Sequence, residues 1–156
     1  MPDLLSHLLS ARIAGTALRS NRRGWLVMLL FGALLPDLLT RPFYILWPAT
    51  YWFVNPLHTP VGIFLTCLAL SGFFIPAQRN VAFVMLLAGS ALHLLLDLLQ
   101  KHEHGGYALL FPFSWDRLEF GLFWPEQTLS GLPFWLLVYG LILWRNKYRK
   151  TASASK

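Results

Sequence analysis

Five residues that hydrocarbon would exclude, His7, Asp37, His58, His93 and Asp97, lie in or beside apolar stretches of this chain. An ionisable group inside a bilayer costs a few kcal/mol or more unless it is paired or bound to an ion, so such residues read first as a site. Imidazoles and carboxylates together are the nitrogen and oxygen donors that zinc or manganese takes. In His93-Leu-Leu-Leu-Asp97 the i, i+4 spacing puts both groups on one helical face, where they can share one ion or the carboxylate can orient the imidazole. Each residue taken singly could instead be a buried hydrogen-bonded group or an ordinary interfacial one; five taken jointly point to a common centre. The chemistry expected of such a centre is hydrolysis. A divalent ion, zinc first and manganese as the alternative, lowers the pKa of a bound water toward neutrality. Asp97 or Asp37 then accepts the proton as hydroxide attacks an acyl ester or phosphoester.

Something must hold these groups at one level, and the composition says what. Over 156 residues 56% are apolar and 13% charged, with a mean hydropathy of +0.51, whereas soluble domains average about 25% charged residues. The expected fold is therefore all-α: an integral membrane bundle of about five short helices with two aromatic-rich outward loops. The apolar runs predict helices from about Leu4 to Leu18, Gly24 to Leu39, Pro60 to Ile75, Val81 to Leu99 and Thr128 to Trp144. Thr59 and Pro60 mark the third start as N-cap and first-turn proline. Pro36 falls in the last turns of the second helix, where it clashes with the Gly32 carbonyl and loosens the ladder beside Asp37. Residues 1–145 read as one membrane-embedded domain and 146–156 as a basic tail.

Charge sets the orientation. The turns at 19–23 and 78–80 and the tail hold nine basic residues, against Arg41, Lys101 and Arg117 in the opposite loops, which places the C-terminus in the cytoplasm and the N-terminus outward. In a bacterium this is the inner membrane, crossed several times, with the site toward the periplasmic side. Counting roughly 1.5 Å of rise per residue, His7, Asp37 and His93 each lie roughly 18 to 20 Å above the cytoplasmic edge. They share a layer, with Asp97 one turn further out and His58 at the mouth of the third helix.

The remaining features separate into topology, packing and rim. The net charge of +6 comes from clusters between apolar runs rather than a basic face, so no nucleic-acid partner is expected. Cys67 is the only cysteine, which leaves neither a disulfide framework nor a thiolate site. No signal peptide is apparent at Met-Pro-Asp-Leu-Leu. Ala11, Ala14, Gly15 and Ala17 allow close approach of the first two helices. Thirteen of the 24 aromatic residues fall between Phe43 and Phe53 or between Tyr107 and Trp124, as an interfacial belt or as a groove admitting a lipid. Asp116, Arg117 and Glu119 could line its rim. His102 and His104 sit in a polar loop where solvation explains them, and Arg12 could snorkel or face the site.

Ser6-His7-Leu-Leu, Leu35-Pro36-Asp37, His58-Thr59 and His93-xxx-Asp97, followed by Gly105-Gly106 and Leu110-Phe111-Pro112, occur in an order that resembles the YdjM-like family of bacterial inner-membrane proteins described as metal-dependent hydrolases. The resemblance covers about residues 4 to 115. It implies a helical bundle similar to a membrane-embedded zinc-dependent phospholipase C, with metal ligands at His7, Asp37, His58, His93 and Asp97. The chain departs from the pattern at Leu38-Leu39-Thr40, where members continue with an aspartate and a histidine, and in keeping only His58 of two histidines around a Gly-rich turn. The donors left suffice for one ion.

The expected function is thus a membrane-embedded metal-dependent hydrolase of an ester or phosphoester, with membrane lipids around it and a lipid-like or lipid-linked substrate. Two other classes stay open: a non-catalytic membrane interaction or scaffold protein, and a haem protein with His7 and His93 as axial ligands. Oligomeric state is not legible.

Overall fold

The computed structural model describes residues 4–17, 23–102, 105–124, 127 and 131–154. The basic turn at 19–22, Glu103, His104 and the expected helix start at Thr128 lie outside the described residues. The chain is all-helical, with α1 Leu4–Ala17, α2 Arg23–Leu46, α3 Tyr51–Val54, α4 Pro60–Ser71, α5 Pro76–Leu99 and α6 Leu132–Ala154. Two 3-10 turns, Pro48–Thr50 and Asn55–His58, flank α3. Five principal helices are what the hydropathy pattern predicts, although their ends differ.

Helix α2 runs seven residues past the expected end at Leu39, so what reads as a loop from 41 to 57 is helix end, 3-10 turns and α3. Pro36, expected in the last turns, and Pro42 both sit inside the helix. Proline at 36 leaves the Gly32 carbonyl without its i+4 donor. Ser90 Oγ of α5 donates to that oxygen at 2.8 Å, so a neighbouring helix supplies the missing bond. Pro76 is likewise a first-turn residue and not a stop: α4 ends at Ser71 and α5 begins five residues before the expected Val81, taking Gln78-Arg79-Asn80 into its first turn. Helix α6 continues beyond Trp144 to Ala154.

At 24 residues each, α2 and α5 reach about 36 Å, enough for a hydrocarbon core of about 30 Å. Among the described residues, Gly24–Leu46 and Pro76–Leu99 are long and apolar enough to cross a membrane, and a third crossing arises if Pro48–His58 and Pro60–Ser71, bent by 77°, form one broken span. Outer faces are apolar, as at Val27, Leu38, Val84, Leu95 and Leu137, while His7, Asp37, His58, His93, Asp97 and Gln100 are buried. A bundle with polar groups inside and aliphatic groups outside fits a lipid solvent.

The two long helices cross at glycines. A Cβ on Gly32 would collide with the Leu86 backbone, and one on Gly89 with the Leu29 carbonyl and the Ala33 nitrogen. Contacts pair Gly32 with Ser90 and Ala33 with His93, so α2 and α5 run in the same direction and backbone lies against backbone. Helix α1 packs on α2 through Ala11 beside Leu29 and Ala33, and through Gly15, where a Cβ would stand 2.6 Å from Leu26 Cδ1. The small-residue reading of α1 is upheld at Ala11 and Gly15. The larger apolar core joins Leu35, Ile63, Cys67, Leu86, Leu94, Leu98 and Tyr107 between α2, α4, α5 and the loop that follows.

Candidate metal centre

The glycine crossing sets Asp37 and His93 face to face, since each lies about one turn beyond the contact on its own helix. His93 Nδ1 donates to the Ala33 carbonyl at 2.7 Å. A carbonyl only accepts, so this bond assigns the proton to Nδ1 and leaves Nε2 with its lone pair. That lone pair points into the bundle, 3.3 Å from Asp97 Oδ2 and 3.7 Å from Asp37 Oδ1.

His58 arrives from the opposite side by a different device. Thr59 caps α4, its hydroxyl accepting from the Gly62 amide at 3.2 Å, and His58 ends the 3-10 turn just before that cap, as the Thr59-Pro60 signal predicts. Thr40 Oγ1 gives its hydrogen to the Pro36 carbonyl at 2.8 Å, so toward His58 Nδ1, 3.3 Å away, it can only accept. A neutral His58 with its proton on Nδ1 would donate to that hydroxyl and leave Nε2 able to ligate. Its Nε2 stands 3.0 Å from Asp97 Oδ2 and 3.2 Å from His93 Nε2. Nitrogen and oxygen donors converging this closely suit either a shared proton or a cation between them.

One ligand atom each from Asp37, His58, His93 and Asp97 falls within 4.8 Å of the other three, all four residues being buried. Among the described residues, Asp37 Oδ1 has no hydrogen-bond donor, and Asp97 Oδ1 has only His7 Nε2 near it, at 3.3 Å. Such orphaned buried oxygens are costly unless something cationic satisfies them. The donor set, two neutral imidazoles and two carboxylates, fits a divalent ion of the zinc or manganese kind.

His7, the fifth expected donor, is fully buried and stacks on His93 with ring centroids 3.8 Å apart. Its Nε2 is 3.3 Å from Asp97 Oδ1, and among the described residues its Nδ1 has no hydrogen-bond partner. It flanks the four-residue cluster. The same stacking removes the haem reading, because two face-to-face rings leave no room for a macrocycle between them.

Two neighbours escaped sequence reasoning. Tyr107 donates to Asp97 Oδ2 at 2.7 Å and stacks on His58 at 4.7 Å between centroids. Burial, with the Asp97 charge beside it, pushes its hydroxyl well above the ordinary phenol range, so it remains a donor. Gly106 places it: the backbone there has φ of +92° and a Cβ would strike the Leu118 carbonyl, so glycine alone fits. Arg41 is the second, its Nη2 2.7 Å from Asp37 Oδ2. It reads as a topology charge in the sequence, yet the unexpected continuation of α2 puts it one turn from Asp37. The signals were Gly105-Gly106 and the i, i+4 pair.

The rim residues divide. His102 stays outside the cluster, its backbone amide donating to Glu119 Oε2 at 2.8 Å and Nδ1 lying 3.2 Å from the same oxygen. Burial pushes its pKa down. It is a paired loop residue and not a freely solvated one. Arg117 covers Trp52 at 4.8 Å and Tyr51 at 5.8 Å, tying the loop to the segment around α3. Asp116 accepts from Ser114 at the surface. Arg12 faces neither water nor the centre: its Nε donates to Tyr139 of α6 at 3.2 Å.

The fold and this centre define a class, a membrane helical bundle with a buried imidazole–carboxylate cluster. Within that class, the chain belongs to the YdjM inner membrane protein family, which matches residues 1–155. No curated protein and no solved structure matches it.

Proposed function

We propose that this membrane protein is a metal-dependent hydrolase acting on an ester or phosphoester of a lipid or lipid-linked substrate. The supporting observation is the convergence of His58 Nε2 and His93 Nε2, 3.2 Å apart, beside two buried carboxylates, with the Nδ1 of each ring in contact with an oxygen on its far side. His58, His93, Asp97 and Asp37 would hold the ion, zinc before manganese, with His7 as a fifth donor. When bound, it supplies a water acidified to near neutrality. Asp97 is surrounded by three imidazoles and Tyr107 and acts as a ligand and charge anchor. Asp37, equally buried but free of contact with Tyr107 and His58 in the bonds above, would accept the proton of the attacking water.

A lipid substrate is supported by what lies beside the centre. An apolar cavity of about 230 Å³ is lined by Ser6, Leu96, Leu99, Phe123, Phe134 and Trp135; Ser6 and Leu96 are the chain neighbours of His7 and Asp97. The test is product release from lipid esters by purified protein in detergent, with and without chelator. Activity that chelator and Asp37→Asn both remove is expected; activity untouched by either contradicts the proposal.

A further inference from the structure

Helices α1 and α6 run in the same direction. Ser6 shares a cavity wall with Phe134 and Trp135, and further along α1 Arg12 Nε donates to the Tyr139 hydroxyl of α6 at 3.2 Å. Ala17, the last residue of α1, stands as far beyond Arg12 in the chain as Trp144 stands beyond Tyr139. After Trp144 the sequence of α6 carries Arg145, Lys147, Arg149 and Lys150, and after Ala17 the connection to α2 carries Arg19 and Arg22. Both basic segments therefore start at one end of the α1–α6 pair, with Arg12 about 7.5 Å inside it.

No acidic residue of these helices answers that charge. Between Leu4 and Pro36, and after Glu126, the sequence has neither Asp nor Glu. Among the described residues, the Arg12 side chain bonds only Tyr139, a neutral hydroxyl. The positive-inside pattern accounts for arginines in the connection and the tail, but not for one within an apolar helix, where an ionised group needs a partner. The guanidinium stays charged and, with Nε committed, keeps both terminal nitrogens as a fork that matches phosphate oxygens. Tyr139 accepts from Arg12 and so retains its own hydrogen to donate.

The surroundings select the kind of anion. Arg12 and Tyr139 are half-buried, and on the same face of α6 Tyr139 lies between Leu136 and Leu143, 56% and 45% exposed. A soluble anion would have to leave water to reach a charge flanked by aliphatic groups, whereas a phospholipid brings its phosphate together with chains that cover those leucines. We infer that α1 and α6 bind the headgroup of an anionic phospholipid, with its phosphate on Arg12 and Tyr139 and its net charge met by the basic residues beyond the helix end. Arg12 is directed to α6 and not to the metal centre, so this lipid is a bound partner and not a substrate. The site stands whether or not the centre hydrolyses anything.

Protein in a neutral maltoside detergent is titrated with dimyristoyl phosphatidylglycerol and with dimyristoyl phosphatidylcholine, and bound lipid is counted by native mass spectrometry. Wild type is expected to bind the anionic lipid about tenfold or more tightly than the zwitterionic one. Arg12→Gln of unchanged helix content loses that preference, and Arg12→Lys, which keeps the charge without the fork, retains part of it. Tyr139→Phe, which keeps the ring and Arg12, weakens phosphatidylglycerol binding about threefold. Asp37→Asn keeps the full preference, because the lipid does not occupy the metal centre. Equal binding of the two lipids by wild type overturns the inference. So does an unchanged preference in Arg12→Gln or, should that variant not fold, in Tyr139→Phe, which leaves the basic residues as topology signals alone. A preference lost in Asp37→Asn and kept in Arg12→Gln also overturns it, and assigns the lipid to the centre.

Discussion

His58 Nε2 and His93 Nε2 face each other across 3.2 Å from different helical segments, each ring turned inward by a bond on its opposite nitrogen. Two carboxylates buried together repel each other, and an ion bound among the four side chains relieves that repulsion. Stability and ion binding are therefore coupled in this bundle.

Tyr107 holds Asp97 from the outer side through its hydroxyl and His58 through its ring. Tyr107→Phe keeps the ring and removes the donor. Loss of a hydrogen bond to a ligating carboxylate weakens metal affinity roughly 10- to 100-fold, a change read by competition with a chromogenic chelator. An unchanged affinity would show that Asp97 needs no such partner.

Ser90 donates to the carbonyl that Pro36 orphans. Ser90→Ala should cost about 1 kcal/mol in the Pro36 background, measured by denaturant unfolding in detergent. With Pro36→Ala the backbone N–H is restored, and the same serine substitution should cost clearly less. Equal costs in both backgrounds would separate the serine from the proline.

Gly89 lies in the backbone crossing of α2 and α5, whereas Gly140 of α6 has open space at its Cβ. Gly89→Ala should destabilise by about 1–3 kcal/mol through overpacking and reduce bound metal, because the crossing aligns Asp37 with His93. Gly140→Ala should be neutral or stabilising by up to about 1 kcal/mol. Thermal unfolding with metal analysis reads both.

Much of this was legible in the residues. Spacing put His93 and Asp97 on one face, Thr59-Pro60 announced the start of α4 beside His58, and apolar runs bounded by basic turns announced five helices. The ends misled where tertiary bonds override local rules: Pro36 is expected near the end of α2 because the Ser90 hydroxyl that compensates it lies 54 residues away in the chain. Pro76 is compatible with both an end and a beginning, and only packing decides. Tyr107 and Arg41 were hidden for the same reason. Their roles come from a glycine-enabled loop path and from a helix that outlasts its prolines, neither of which shows as periodicity.

The central claim is that one ion sits among His58, His93, Asp37 and Asp97. Elemental analysis of protein purified without added metal, beside a His58→Ala, His93→Ala double variant matched for helix content, tests it most directly. About one zinc or manganese per wild-type chain and essentially none in the variant is the result expected. Equal metal in the two proteins, or none in wild type even after incubation with zinc, would contradict it.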